Sequence, residues 1–395
     1  MLLKSFYAFG LVCGLVPAPL GKVRFLRGCS QRWYLLYTAC LHGVLLILLP
    51  FTFPQFLHKE SYMSNNMVLQ WTFTLTSITR VLAMFSGGLM MWLRRKKLLR
   101  LSDNLLSHCL KCRRLDDHTT KYTTLWKKIR GLLTQTLIVV FLTISVATLI
   151  LQKIDTYHSF INVSMIVVHV IQFIYVVIMM AGVCVILLVL QWQSERVYVA
   201  LKDLCVLLNH EEWNSLVLSE TKANKSLAIL HNLLQLYAEN RRLIREVFGT
   251  LDIPIAFMLL KMFVTNINLV YHGVQFGNAS IETFYYTKTL GQCVVISHYW
   301  NAILLMNVVD DVTRGSVLKM GSLLREFSHL ELVKRDFQVE LEIFSDHLRC
   351  HPAAYKVCGL FIINRQTSLV YFFYVLVQVL VLVQFDLKNK VKDTH

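Results

Sequence analysis

The sequence predicts an all-α, polytopic membrane protein with seven transmembrane helices, cytosolic helical extensions and the N-terminus inside. Hydrophobic residues make up 55% of the 395-residue chain, charged residues make up 16%, and the mean hydropathy is +0.51. A soluble domain carries about 25% charged residues. The apolar residues also cluster into stretches of roughly 18–25, the length that a helix needs to cross ~30 Å of hydrocarbon. These properties exclude a disordered chain and a disulfide-dense secreted scaffold.

Seven segments satisfy the length and polarity requirements of membrane spans. They are Tyr34–Phe53, Met67–Leu93, Leu132–Leu151, Val163–Leu190, Ile253–Tyr271, Thr289–Val308 and Leu369–Phe385. The shorter apolar run Phe6–Leu20 has the length of a signal peptide, but the basic residues between Lys22 and Arg32 follow it at once and resist translocation. We therefore expect a cytosolic, partly interfacial N-terminus.

The basic residues fall in alternate loops, and this pattern predicts the orientation of the spans. With the N-terminus inside, the inner segments hold 5, 12, 7 and 7 Lys and Arg residues, which is 31 of the 40, and the outer segments hold 6. Cytosolic loops carry such an excess of positive charge. The net charge of +16 is therefore a topology signal, and no nucleic-acid partner is expected.

Two inner stretches keep a helical pattern beyond the spans. Between 193 and 251, and again between 318 and 348, leucines recur every three to four residues. Amphipathic helices need a partner surface, so these stretches predict a cytosolic helical bundle. On the outer side lie two Asn-x-Ser sequons, at Asn162 and Asn278. Asn162 abuts its span, so Asn278 is the expected glycosylation site.

The sequence lacks the motifs of an enzyme or of a cofactor-binding protein. Cys109 and Cys112 have the spacing of half a zinc site, but no second pair follows, so we expect reduced cysteines without a structural role. No phosphate loop or nucleophile motif is present, and no cofactor or metal is expected. The basic run at 94–97 is interpreted as an anchor that meets anionic membrane lipids. Asp310 and Asp311 are interpreted as a solvated helix end.

Polar and aromatic side chains inside the spans predict a small-molecule pocket. A charge within a span marks a polar cavity or a paired site, which is the interpretation of Arg80. Lys261, about ten residues from the inner end of its span, is expected to extend to the interface instead. Apolar walls with a few convergent polar groups are typical of ligand pockets. The predicted ligand-binding residues are Trp71, Arg80, His169, Gln172, Tyr175, Asn266, Gln292 and Tyr299. For Trp71 and Tyr271, an aromatic anchor at the membrane interface is the alternative.

The C-terminal segment carries a family resemblance. Gly359-Leu360-Phe361 and Asn364-Arg365 precede an apolar helix that ends with five aliphatic residues and Gln384-Phe385. This segment resembles insect gustatory receptors, whose last span carries Thr-Tyr, five hydrophobic residues and Gln-Phe. Val377 and Gln378 stand at the Thr-Tyr positions, so half of that signature differs.

The resemblance implies a gustatory receptor that acts as a tastant-gated, non-selective cation channel in the plasma membrane of sensory neurons. It also implies a homo- or heterotetramer with other gustatory receptor subunits, in which the last span lines the pore. The expected organisation is a cytoplasmic N-terminus (1–33), six helices with the ligand pocket (34–308), a cytosolic helical segment (309–357), the pore helix (358–385) and an extracellular tail (386–395). In a tetramer, Gln378, Gln384 and Phe385 would form the gate, and Asp386 would form an acidic ring at the mouth.

Two other classes of membrane protein are the alternatives. A G-protein-coupled receptor requires an outside N-terminus, which the charge distribution opposes, and neither Asp-Arg-Tyr nor Asn-Pro-x-x-Tyr is present. A secondary transporter commonly shows two related halves with broken helices. Here no halves repeat, and all six prolines lie outside the middles of the spans.

Overall fold

The computed structural model is nearly all helical. It describes residues 8, 10–16, 31–49, 66–115, 122–153, 160–214, 220–277, 285–327, 335–350 and 354–393. The helices are α1 (Gln31–Ile47), α2 (Met67–Leu93), α3 (Arg95–Arg113), α4 (Tyr122–Lys153), α5 (Phe160–Asn214), α6 (Glu220–Gly277), α7 (Tyr285–Asp310), α8 (Ser316–Phe327), α9 (Arg335–Arg349) and α10 (Arg365–Asp393). A π-helical turn (Asp311–Gly315) joins α7 to α8, and two short strands, β1 (Lys356–Val357) and β2 (Phe361–Ile362), precede α10.

Six helices in the described part of the chain are long and apolar enough to cross a membrane. They are α2, α4, α5, α6, α7 and α10, and they contain the second to seventh predicted spans. The first predicted span corresponds to a shorter apolar helix, Arg32–Ile47, while residues 50–53 lie outside the described residues. Asn162 lies in the first turn of α5, and Asn278 lies outside the described residues.

Helices α5 and α6 extend far beyond the membrane core. They contain 55 and 58 residues, or about 80–90 Å at 1.5 Å per residue, whereas the hydrocarbon layer is ~30 Å thick. Their extensions pack with α8 and α9 around buried Leu201, Leu230, Leu233, Leu323 and Phe344. The apolar stretches at 193–251 and 318–348 thus contribute helices to one bundle, as their spacing predicts, while residues 215–219 and 328–334 lie outside the described residues.

Five of the six described membrane helices share one apolar core, and α2 and α5 approach each other closely within it. The core joins five helices through Ala83, Leu133, Leu187, Met258 and Leu305. A Cβ atom at Gly87 would lie only 2.1 Å from the Sδ atom of Met179. Small residues allow such close contact between membrane helices. Gly87 therefore sets the distance between α2 and α5.

A β-hairpin that the sequence pattern does not predict leads into α10. The amide of Leu360 donates to the Val357 carbonyl at 2.8 Å, and the two residues between them, Cys358 and Gly359, have φ values of 47° and 73°. Glycine adopts this left-handed conformation without a steric penalty. Asn364 then caps α10, since its Oδ1 accepts from the Thr367 amide at 2.7 Å.

Asp310 and Asp311 do not form a solvated helix end, contrary to the sequence interpretation. Asp310 is buried, and the chain continues through the π-helical turn into α8. Arg365, the first residue of α10, donates from Nη2 to Asp311 Oδ1 at 2.8 Å, and its Nε lies 3.7 Å from Asp310 Oδ2. The aspartates therefore anchor the start of the last helix to the end of α7.

Candidate functional site

Two cations are buried in the middle of the helix bundle. Arg80 on α2 is 8% exposed and Lys261 on α6 is 4% exposed. The Arg80 guanidinium donates from Nη2 to Ser77 Oγ at 3.3 Å, and Lys261 Nζ lies 5.0 Å from the centre of the Phe173 ring. We call Arg80 and Lys261 the buried cation pair. The sequence interpretation of Lys261 as a side chain that extends to the interface is wrong, because its helical phase directs it onto Phe173.

The side chains around the buried cation pair come from α2, α4, α5 and α7. On one side, Ser77 Oγ lies 3.5 Å from His169 Nε2, and the His169 ring stacks on Phe73 at 5.3 Å. On the other side, the His298 ring lies 5.4 Å from Phe173. Its Nε2 is 3.5 Å from the hydroxyl of Thr143. Aromatic faces and hydroxyl or imidazole groups thus surround two positive charges.

A second polar group lies where α6 and α7 contact the last helix. Asn266 on α6 is 1% exposed, and its Nδ2 donates to the hydroxyl of Tyr371 on α10 at 2.7 Å. Tyr299 on α7 is buried, and its ring packs edge-on against Tyr371 and Phe372 at 6.4 and 5.5 Å. The buried Oδ1 of Asn266 and the Tyr299 hydroxyl have no hydrogen-bond partner within the described residues.

Not all of the predicted ligand-binding residues reach these two polar groups. Trp71 is 65% exposed and Gln292 is also exposed, so neither of them lies at these two polar groups. The reason is helical phase, because their neighbours Thr72 and Val294 are the residues that turn inward. Gln172 is fully buried on α5.

Tyr175 belongs to a separate network at the junction of α1, α2 and α5. Trp92 Nε1 donates to His42 Nδ1 at 2.9 Å, so the other ring nitrogen of a neutral His42 carries the proton. That nitrogen, Nε2, lies 3.0 Å from the Tyr175 hydroxyl. A pocket with His42, Trp92 and Gly14 in its lining lies beside this network.

The end of the last helix carries both exposed and buried side chains. Gln378, Gln384 and Phe385 are exposed on the surface of the single chain. Asp386, by contrast, is only 7% exposed and accepts hydrogen bonds from two amides, Asn66 Nδ2 and Gln275 Nε2, both at 2.9 Å. Within the single chain, the Asp386 carboxylate therefore anchors α10 to the start of α2 and the end of α6.

Tyr271 is also misjudged from the sequence. It is fully buried, so it is not an aromatic anchor at the membrane surface. Tyr371 was missed entirely, because a tyrosine in an apolar span carries no signal of its hydrogen bond to a distant amide. The two amides of Asn266 and Asn268 in the same span were the only available signal for polar contacts there.

The Cys109 and Cys112 pair lies on α3, outside the membrane spans. Cys112 is fully buried, with Sγ 3.6 Å from His108 Nε2, so it does contribute to packing, contrary to expectation. Burial raises the pKa of the Cys112 thiol to about 12 and lowers the pKa of His108. Within the described ranges, no three His, Cys, Asp or Glu residues are placed to hold a metal ion.

The long apolar helices around an internal polar site are those of a multi-pass membrane protein. The chain belongs to the 7tm Chemosensory receptor family, whose model matches residues 3–389. It is 67% identical, over the full length of both chains, to the Drosophila melanogaster protein "Putative gustatory receptor 58a". It is 27% identical to "Putative gustatory receptor 58b" of the same species, over 97% of this chain and 92% of that one. The resemblance of the C-terminal segment to gustatory receptors is confirmed, and the family is not one of enzymes.

The fold is also that of a solved insect receptor. The olfactory receptor OR5 from Machilis hrabei, in complex with eugenol, superimposes with a TM-score of 0.65 at 12% sequence identity. The alignment covers 97% of this chain and 98% of that one. The structure of OR5 without a named ligand gives a TM-score of 0.62. At this identity, the likeness establishes the shared fold.

Proposed function

We propose that this chemosensory receptor is a tastant-gated, non-selective cation channel, in which four subunits surround a pore lined by α10. The hydrogen bond from Asn266 to Tyr371 supports this proposal most directly. It joins a residue of the predicted ligand pocket to the helix that would line the pore. A small molecule that competes for the Asn266 amide would therefore act on α10 without an intervening element.

The position of α10 favours assembly from several copies. Only 11% of the residues in the most apolar 18-residue stretch of α10 are buried within the chain, compared with 72% for α5. Its exposed side chains include Phe372, Val377 and Phe385. The largely exposed α10 favours a pore that forms between copies related by symmetry. Apolar rings of Phe385 would close such a pore by excluding water, and Gln384 would line it next to this gate.

Gating requires that a ligand bind one state of the channel more tightly than the other. Two anchors hold α10 in the observed position: Arg365 with Asp311 at its start, and Asp386 with its two amide donors at its end. Between them, Tyr371 is the polar contact with α6. A ligand that replaces Tyr371 as the partner of Asn266 would release the middle of α10 while both ends stay attached.

Recording of ligand-evoked current with G-protein signalling blocked tests the channel. Substitution of Tyr371 with Phe leaves the buried amide donor of Asn266 without its partner, which costs about 1–3 kcal/mol in the unliganded state. Because the ligand then no longer competes with Tyr371, the activating concentration should fall by roughly 5–150-fold. Tyr374→Phe is the matched control, because Tyr374 is exposed on the same helix. Current that depends on G proteins, or equal responses of both variants and the wild type, would contradict the proposal.

The gate is tested by Phe385→Ala, which should increase ligand-independent current. Phe141→Ala is the control, because Phe141 is similarly exposed but lies on α4. Equal basal current in both variants at normal surface expression would remove Phe385 from the gate.

The proposed arrangement places the N-terminus in the cytosol and the C-terminus outside the plasma membrane. An antibody should then label a C-terminal tag, but not an N-terminal tag, on intact cells. Asn278→Gln should also remove a glycosidase-sensitive band. The reverse staining pattern would refute this topology.

A further inference from the structure

We infer that the site around Arg80 and Lys261 takes a small organic carboxylate. The inference rests on the proposed function, because it names the chemical class of ligand for the same pocket. The carboxylate would lie between the two cations, and an apolar remainder would lie against Phe73 and Phe173. Both cations are more than nine-tenths buried, and they project from different helices.

The charge of the site is uncompensated within the part of the chain that the structure describes. Arg80 and Lys261 repel each other, and neither is paired with an aspartate or glutamate there. The Nε of Arg80 is buried and has no hydrogen-bond partner among those residues. A charge inside a membrane span is costly and marks a functional site by default. An anion would satisfy both cations at once.

The geometry of the donors favours a carboxylate over other ligand classes. A guanidinium presents parallel N–H groups that match the two oxygens of a carboxylate, and such charge-assisted bonds are stronger than neutral ones. Ser77 and His169 lie beside Arg80 as further polar groups. Two basic side chains would repel a protonated amine, so alkaloid cations are disfavoured here. A phospholipid headgroup is also disfavoured, since it would have to leave the interface for the middle of the membrane.

Ligand-dependent thermal stability of the purified full-length receptor tests the inference without requiring current. The probes are a series of carboxylates from acetate to decanoate together with benzoate, each compared with its methyl ester, and sodium chloride. We expect at least one carboxylate to raise the unfolding temperature in a saturable manner, and its ester to have no such effect. No stabilisation by any carboxylate, equal stabilisation by the esters, or stabilisation by chloride alone would overturn the inference.

Four variants locate the binding site. Arg80→Gln and Lys261→Met should each weaken carboxylate binding by roughly 10–100-fold, as expected for loss of a charge-assisted hydrogen bond. Arg242→Gln and Lys128→Met remove exposed cations of the same types, which pair with Glu246 and Glu195, and should bind as the wild type does. If Arg80→Gln does not fold, Arg80→Lys, which keeps the charge but loses the two parallel donors, should still weaken binding. Unchanged affinity in the folded Arg80 and Lys261 variants would refute the site.

Current recordings separate this inference from the proposed function. Carboxylate binding without any current would refute the channel and leave the ligand class standing. Currents evoked by neutral tastants, without carboxylate binding, would refute the ligand class and leave the channel standing.

Discussion

Substitution of Lys261 with methionine should stabilise the unliganded protein. Lys261 is 4% exposed and is not ion-paired with any described acid, so folding removes its ammonium group from water without an opposite charge. Methionine has a similar length and no charge, so it fills the same space without this penalty. Most substitutions of buried residues destabilise a protein, and the opposite sign here follows from the buried charge.

The magnitude follows from two opposing contributions. Removal of an ammonium group from water costs several kcal/mol even after relaxation. The cation–π contact of Lys261 with the Phe173 ring at 5.0 Å stabilises the folded protein by up to about 2 kcal/mol when both groups are removed from water. The net gain for Lys261→Met is therefore about 1–3 kcal/mol. This corresponds to a rise of roughly 2–6 °C in the unfolding temperature, at about 2 °C per kcal/mol.

The assay is thermal unfolding of the purified receptor in detergent, followed by a thiol-reactive fluorophore. Exposed cysteines such as Cys350 are first blocked with iodoacetamide, and Cys112 and Cys184, which are fully buried, then react with the fluorophore only when the structure opens. Lys128→Met is the control, because Lys128 is exposed and should give no change. An unfolding temperature for Lys261→Met at or below that of the wild type would show that Lys261 is compensated by a favourable partner, and would refute this reasoning.

Three further predictions concern the last helix and the cysteines. Asp252 Oδ1 accepts from the Cys358 amide at 2.8 Å, so Asp252→Ala should speed hydrogen exchange of that amide by roughly 5–150-fold, and unchanged exchange would show that this hydrogen bond does not protect it. Asn364→Ala should lower stability by about 1 kcal/mol in the thermal assay while Asn364→Ser retains most of it, whereas equal losses would exclude the helix cap. Because burial raises the pKa of Cys112 to about 12, iodoacetamide at pH 8 should leave Cys112 unmodified in the folded protein and label exposed Cys350. Mass spectrometry that finds both equally labelled would contradict this.

The positions of the spans could be predicted from the sequence, because length and apolar content are local properties of a segment. Helices α2, α4, α5, α6, α7 and α10 contain the predicted spans, and the bundle of α8 and α9 follows the predicted leucine spacing. The β-hairpin could not be predicted, since strands of two residues have no periodicity to detect. Its hydrogen bond to Asp252 joins residues that are about a hundred positions apart.

The candidate site could be predicted only in part. Arg80, His169, Asn266 and Tyr299 do lie at the two polar groups, because polar side chains deep in apolar spans are few. Trp71 and Gln292 do not, since the rotation of a helix about its axis depends on its neighbours and not on its own composition.

The sequence by itself determined where the helices lie that are long and apolar enough to cross a membrane, and its C-terminal segment indicated the family. Only the tertiary structure decided which helical faces meet. That packing buries Lys261 on Phe173, bonds Asn266 to Tyr371 and holds Asp386 inside the subunit. The physical reason is range: insertion into a membrane depends on the summed transfer free energy of one segment, whereas a buried polar contact depends on the register between helices that are distant in sequence.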